Sequence, residues 1–136
     1  MGCRVHVIKR QREYGNSEAF NYGIDDFKSV LENLGCNVCD QDGCETFFEL
    51  PIADYNRALD VLKNIAKHGS VDWEKLNKKY PIEDEYHDTF EELCDVDYAL
   101  KHIKVLGYDV PKMIEAMENF KFQRDRKSNW IQFEAW

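Results

Sequence analysis

Hydrophobic and polar residues alternate at both ends of the chain and recur with helical spacing between them. Cys3 to Lys9, CRVHVIK, sets Cys3, Val5 and Val7 against Arg4, His6 and Ile8. Trp130 to Trp136 sets Ile131, Phe133 and Ala135 against Trp130, Gln132, Glu134 and Trp136. Successive side chains on a strand point to opposite faces, so each segment predicts a half-buried strand. Phe27, Val30, Leu31 and Leu34 follow the i, i+3, i+4, i+7 spacing of a helix that Asp25 caps and Gly35 closes. Tyr55, Ala58, Leu59, Leu62 and Ile65 mark a second, from Asp54 to His68-Gly69. A short piece from Ser70 to Pro81 turns Trp73, Leu76 and Tyr80 inward. Tyr86, Phe90, Leu93 and Cys94 predict a longer helix over 84–94. Asp95 re-caps the chain for Tyr98, Ala99, Ile103 and Leu106, and Asp109-Val110-Pro111 opens a last helix carrying Val110, Ile114, Met117 and Phe120.

Cys36 to Leu50, CNVCDQDGCETFFEL, holds the clearest turn signal, Asp42-Gly43 between two runs of β-type residues. A two-residue turn would set Asp40 opposite Glu45, carboxylate against carboxylate. A three-residue loop, Gln41-Asp42-Gly43 with Gly43 left-handed, pairs Asp40 with Cys44, Val38 with Thr46 and Cys36 with Phe48. This second register is the expected one. It gathers Cys36, Val38, Cys44, Phe48 and Leu50 on one face and leaves Asn37, Cys39, Glu45, Phe47 and Glu49 on the other.

Strand, helix, strand, strand, helix, then a helical stretch and a closing strand resembles a ferredoxin-like split β-α-β-β-α sheet with helices inserted before the C-terminal strand. The likeness is one of element order. It implies an α+β fold in one domain, 1–136, made of a β-α-β-β-α half (1–69), a helical segment (70–127) and the closing strand (128–136). Arg10 to Gly23 is longer than the usual connection of about 4–6 residues and interleaves Arg10, Arg12, Tyr14, Phe20 and Tyr22, so it is the first candidate for a binding loop. A strand extension ending in a loose turn is the plain alternative.

Composition narrows the class. Hydrophobic residues at 43% and aromatics at 13% argue for a folded core. No apolar run approaches the length of a membrane span, and the N-terminus lacks a basic-then-apolar signal architecture. Met1-Gly2-Cys3 invites acylation, but the myristoylation pattern wants Ser or Thr where the chain has His6. Five cysteines without a small-scaffold spacing favour free thiols in a reducing compartment, hence the cytoplasm. The net charge of −8 works against general nucleic-acid affinity. It is unevenly spread. Arg4, Lys9, Arg10 and Arg12 form one basic cluster, Lys121, Arg124, Arg126 and Lys127 another, and Glu83 to Asp97 carries eight carboxylates with no Lys or Arg.

Candidate chemistry is sparse. Cys36, Cys39 and Cys44 have the spacing of three zinc ligands, but zinc needs four donors converging at roughly 2.0–2.3 Å, and strand pleating sends Cys36 and Cys39 to opposite faces. His87 beside Asp88 reads as a helix-dipole partner. The turn Leu106-Gly107-Tyr108-Asp109 has helix-turn-helix length, but Glu115 and Glu118 stand where base-reading side chains belong. No hydrolase, P-loop, dinucleotide or metalloprotease motif is present, and no cofactor is implied. The open face of the expected sheet collects Arg4, His6, Ile8, Arg10, Cys39, Phe47, Trp130, Gln132 and Trp136. That pattern is also how RRM modules stack single-stranded bases, but their signature string is missing and Glu45, Glu49 and Glu134 would repel phosphate.

The preferred reading is therefore a non-enzymatic binding or regulatory protein. It works through protein contacts or self-association on Arg4, His6, Arg10, Arg12, Tyr14, Phe20, Tyr22, Phe47, Trp130 and Trp136. Two alternatives stand beside it: a small enzyme or metal-binding domain built on His6, Cys39 and nearby arginines, and an inhibitor whose acidic segment imitates nucleic acid.

Overall fold

The first alternating segment becomes β1 (Val5–Arg10) and the last becomes β5 (Trp130–Ala135). They pair antiparallel, Val5 opposite Ala135, His6 opposite Glu134 and Val7 opposite Phe133. The structure, a computed structural model, describes residues 3–10, 13–41 and 44–136, without the side chains of 17, 41, 44 and 45. β1 pairs on its other side with β2 (Glu13–Ala19); β5 pairs with β4 (Cys44–Pro51), and β4 with β3 (Cys39–Gln41). The described sheet is antiparallel throughout, in the order β2-β1-β5-β4-β3.

Among the described residues five α-helices complete the α+β fold: α1 (Ile24–Asn33), α2 (Ile52–His68), α3 (Trp73–Lys79), α4 (Val96–Val105) and α5 (Val110–Gln123). Asp72, Asp95 and Asp109 each accept a hydrogen bond from the backbone N–H three residues on, which sets the starts of α3, α4 and α5. The inward residues of the sheet, among them Val5, Val7, Phe48, Leu50, Ile131 and Phe133, meet α1, α2 and α5 in one buried cluster that draws on all three parts of the chain. Phe133 is its hub, its ring centroid 5.0 Å from Phe27, 5.2 Å from Phe120 and 5.9 Å from Tyr55. The buried Tyr55 hydroxyl donates to the carbonyl of Met117 at 2.7 Å, tying α2 to α5. α4 packs outside α1, where Asp95 N–H donates to the Asn33 carbonyl at 2.8 Å.

Five expectations are corrected. The closing strand is central, between β1 and β4, so β1 has no parallel contact with the second hairpin arm; the ferredoxin-like order is absent. Half of the expected Arg10–Gly23 loop is strand β2. Gly15, which reads as a turn residue, instead permits close packing. A Cβ there would lie 2.8 Å from Val7 and collide with Gln123 of α5. In the hairpin, Gln41 faces Cys44 and, beyond a bulge, Asp40 faces Phe48 and Cys39 faces Glu49, replacing the expected pairing of Asp40 with Cys44. Asp42 and Gly43 lie outside the described residues. The longer helix over 84–94 reduces to a 3-10 turn, Phe90–Leu93. Its crowded carboxylates repel at helical spacing, and Asp84 turns back to accept from Tyr86 N–H at 2.8 Å. Gly23 and Pro51, rather than Asp25 and Asp54, occupy the N-caps of α1 and α2; Asp54 accepts from Asn37 N–H instead, at 2.9 Å.

Candidate functional site

No described helix covers the second face of the sheet. Pleating turns Arg4, His6, Ile8, Phe47, Glu49, Trp130, Gln132, Glu134 and Trp136 toward it. Register places Glu18, His6, Glu134 and Phe47 in one row across β2, β1, β5 and β4. Arg4 and Trp136 exchange backbone hydrogen bonds of 2.8 and 3.1 Å, which extends the β1–β5 ladder by one pair and brings the Trp136 indole beside His6.

The indole and the imidazole stack at 3.5 Å with an interplanar angle of 8°, and Tyr14 stands edge-on to Trp136 at 4.3 Å. His6 is only 7% exposed as a result, while Trp136 remains 52% exposed. Burial lowers the His6 pKa below its ordinary value; Glu18, 3.7 Å from Nε2, opposes that shift and Arg4 reinforces it. Each described carboxylate of this surface already has a donor. Glu18 pairs with Arg4 at 3.7 Å and Glu13 with Arg10 at 3.6 Å. Tyr14 donates to Glu134 at 2.8 Å, a bond that raises the phenol pKa, and Gln132 donates to Glu49 at 2.8 Å.

Of the predicted site residues, Arg4, His6, Tyr14 and Trp136 form one cluster. Phe47, half-buried, lies beside it across from Glu134. Trp130 sits at the far end of β5, opposite Pro51, and Arg10 at the far end of β1. Phe20 is not a surface residue. It is 3% exposed, at φ 58°, packed on Phe27 at 4.6 Å, because the turn from β2 into α1 drives it into the core. Tyr22 is exposed in that same turn, its backbone N–H donating to the Cys3 carbonyl at 2.7 Å. Arg12 lies outside the described residues.

His6 and Cys39 do not meet. β5 and β4 separate the strands of His6 and Cys39, roughly 14 Å at about 4.8 Å per strand. Cys36 is buried against the Asp54 carbonyl at 3.4 Å, and its burial pushes its pKa well up. Burial takes the Cys94 thiol up to about 12. A thiol so raised stays protonated at neutral pH and is a poor nucleophile. Cys3, Cys36, Cys39 and Cys94 are all free, and among the described residues no three His, Cys, Asp or Glu side chains gather as a metal site; the Cys44 side chain lies outside them.

Sequence reasoning missed a second surface. The paired ends of β1 and β2 and the loop after α5 enclose a cleft of 690 Å³, lined by Lys9, Arg10, Tyr14, Arg124, Arg126 and Lys127 together with Gly15, Asn16, Phe122, Gln123 and Asp125. Lys9 and Arg10 of one basic cluster and Arg124, Arg126 and Lys127 of the other, more than a hundred positions apart, thus line one site. Each cluster was visible in the composition; their meeting follows from strand order. The chain matches no protein family, no curated protein and no solved structure. No described helix is long and apolar enough to cross a membrane.

Proposed function

We propose that the protein is a non-enzymatic binding protein whose helix-free sheet face takes another protein surface, and that a second copy of the chain is the partner it fits. The observation that carries this reading is the His6–Trp136–Tyr14 cluster: Trp136 and Tyr14 partly open to solvent over a covered His6, on a surface whose described carboxylates are already hydrogen-bonded or paired within the chain. Such a face can be covered without stranding a buried polar group, the usual cost of burying one. Two copies related by a two-fold axis would meet ring to ring with their charges satisfied internally, sheets about 10 Å apart. A strongly charged partner would find no complementary field there. Free Cys3, Cys36, Cys39 and Cys94 support the cytoplasm as the setting.

Light scattering across a concentration series tests the proposal. The apparent mass should rise from monomer toward dimer, and Trp136→Ala should weaken association by about thirtyfold, the loss expected of a central aromatic anchor. A monomer at every concentration would sink the reading. The alternative built on His6 and Cys39 lacks the thiol–imidazole contact it needs, since the two stand on separated strands.

A further inference from the structure

We propose that the cleft between the β1–β2 ends and the loop after α5 binds a small polyanion, a nucleoside polyphosphate, with its phosphates among Lys9, Arg10, Arg126 and Lys127 and its base on the ring of Phe122. The cleft shares Tyr14 with the aromatic cluster of the helix-free face, but its cations and Phe122 lie outside that cluster, and the proposal does not depend on the other.

Charge is the first argument. Among the described residues, five cations line the cleft against one lining carboxylate, Asp125, and Glu13 pairs with Arg10 from beside it at 3.6 Å. Asp125 accepts from the backbone N–H of Lys127 at 3.0 Å, so it shapes the turn that presents the lysine. Arg124 donates to the carbonyls of Asp125 at 2.9 Å and Ser128 at 3.2 Å, which holds the same loop in place. Lys9 and Lys127 have no side-chain partner among the described residues. Like charges crowded this closely repel one another, and an anion between them relieves that repulsion. Phosphate oxygens suit both ammonium and guanidinium donors.

Shape and the exposed ring supply the rest. Phe122 is 73% exposed, and Arg126 lies over it, 5.1 Å from guanidinium carbon to ring centroid, while donating to the Phe122 carbonyl at 3.2 Å. A base stacked on that ring would place its phosphates beside the arginine. The 690 Å³ volume falls within the range of about 300–1,000 Å³ typical of small-molecule sites. A nucleic-acid strand fits less well. Single-strand sites cover about 4–16 nucleotides and would run out of the cleft past Glu13, paired with Arg10, and Glu134, bonded by Tyr14. With a screening length of about 8 Å at physiological salt, the local cations govern the cleft despite the overall charge of −8, while those carboxylates govern anything that leaves it.

Isothermal titration of the full chain with nucleoside triphosphates, inorganic triphosphate and a short single-stranded oligonucleotide tests the site. A saturable one-to-one complex with at least one nucleoside triphosphate is expected. Lys9→Glu with Lys127→Glu should weaken it by about tenfold or more. Phe122→Ala should weaken it by about fivefold and leave inorganic triphosphate unmoved. All three side chains are exposed, and circular dichroism checks that the variants fold. No saturable binding at millimolar ligand, or binding indifferent to the double charge reversal, overturns the site. Inorganic triphosphate binding as tightly as the nucleotides overturns the base contact. An oligonucleotide binding more tightly than any nucleotide overturns the small-ligand assignment.

Discussion

Phe47 and Phe48 are neighbours in sequence and opposites in environment. Phe48 is buried under α1, its ring 5.7 Å from Phe27 and 5.2 Å from Phe133. Phe47, one position earlier on β4, points to the face that no described helix covers and stands across from Glu134. The same contrast runs through β1 and β5, with Val5, Val7, Ile131 and Phe133 on one side and His6, Gln132, Glu134 and Trp136 on the other. One face of each strand stabilises the fold by hiding apolar surface. The other keeps large rings half in water, held by stacking and by hydrogen bonds between side chains. A surface of that kind costs little to cover, and this is what suits it to binding.

Substitution at the adjacent pair measures the contrast directly. Phe48→Ala should cost about 3–5 kcal/mol in urea unfolding, from lost burial and the cavity left behind, whereas Phe47→Ala should cost about 1 kcal/mol. Equal losses would show that the second face is also a core surface. Gly15→Ala comes next. Its new methyl group would press on Val7 and Gln123 and should destabilise by about 1–3 kcal/mol, read from the unfolding midpoint. A neutral result would mean that β2 does not pack as closely on α5 as described.

The pH dependence is a smaller effect. His6 binds its proton less tightly in the fold than in the unfolded chain, where imidazole titrates near about 6.5. The unfolded chain therefore takes up protons first on acidification. His6 contributes its full stability above that value and loses it as the pH falls through the lower, folded pKa. Urea midpoints between pH 8 and pH 5 should fall accordingly, and His6→Gln should flatten that part of the curve. Trp136→Ala, by uncovering the imidazole, should return its NMR titration toward the ordinary value; an unmoved titration would remove Trp136 as the cause of the burial. Smallest of all, Lys9→Glu with Lys127→Glu should change stability by no more than about 0.5 kcal/mol, because both side chains are exposed and unpaired among the described residues.

Local patterns carried most of the element list. The strict alternation from Trp130 to Ala135 and the aspartates before α4 and α5 act over a few residues, through pleating and a single side-chain hydrogen bond, so they could be read directly. Two local signals misled. The length of Arg10 to Gly23 reads as a loop, yet pairing with β1 and the approach of α5 outweigh the weak strand preference of Gly15 and Asn16. Tyr86, Phe90 and Leu93 have helical spacing, yet the surrounding carboxylates repel along a helix and bond locally instead.

The strand order belonged to tertiary packing alone. Nothing in the alternation of β5 says which strands flank it, because neighbour choice depends on how α2, α3, α4 and α5 carry the chain from β4 to the centre of the sheet. From that choice follow the covering of His6 by Trp136 and the convergence of Lys9 and Arg10 with Arg124, Arg126 and Lys127. Periodicity records which way a side chain points; only the folded chain, where distant segments compete for the same partners, decides what it points at.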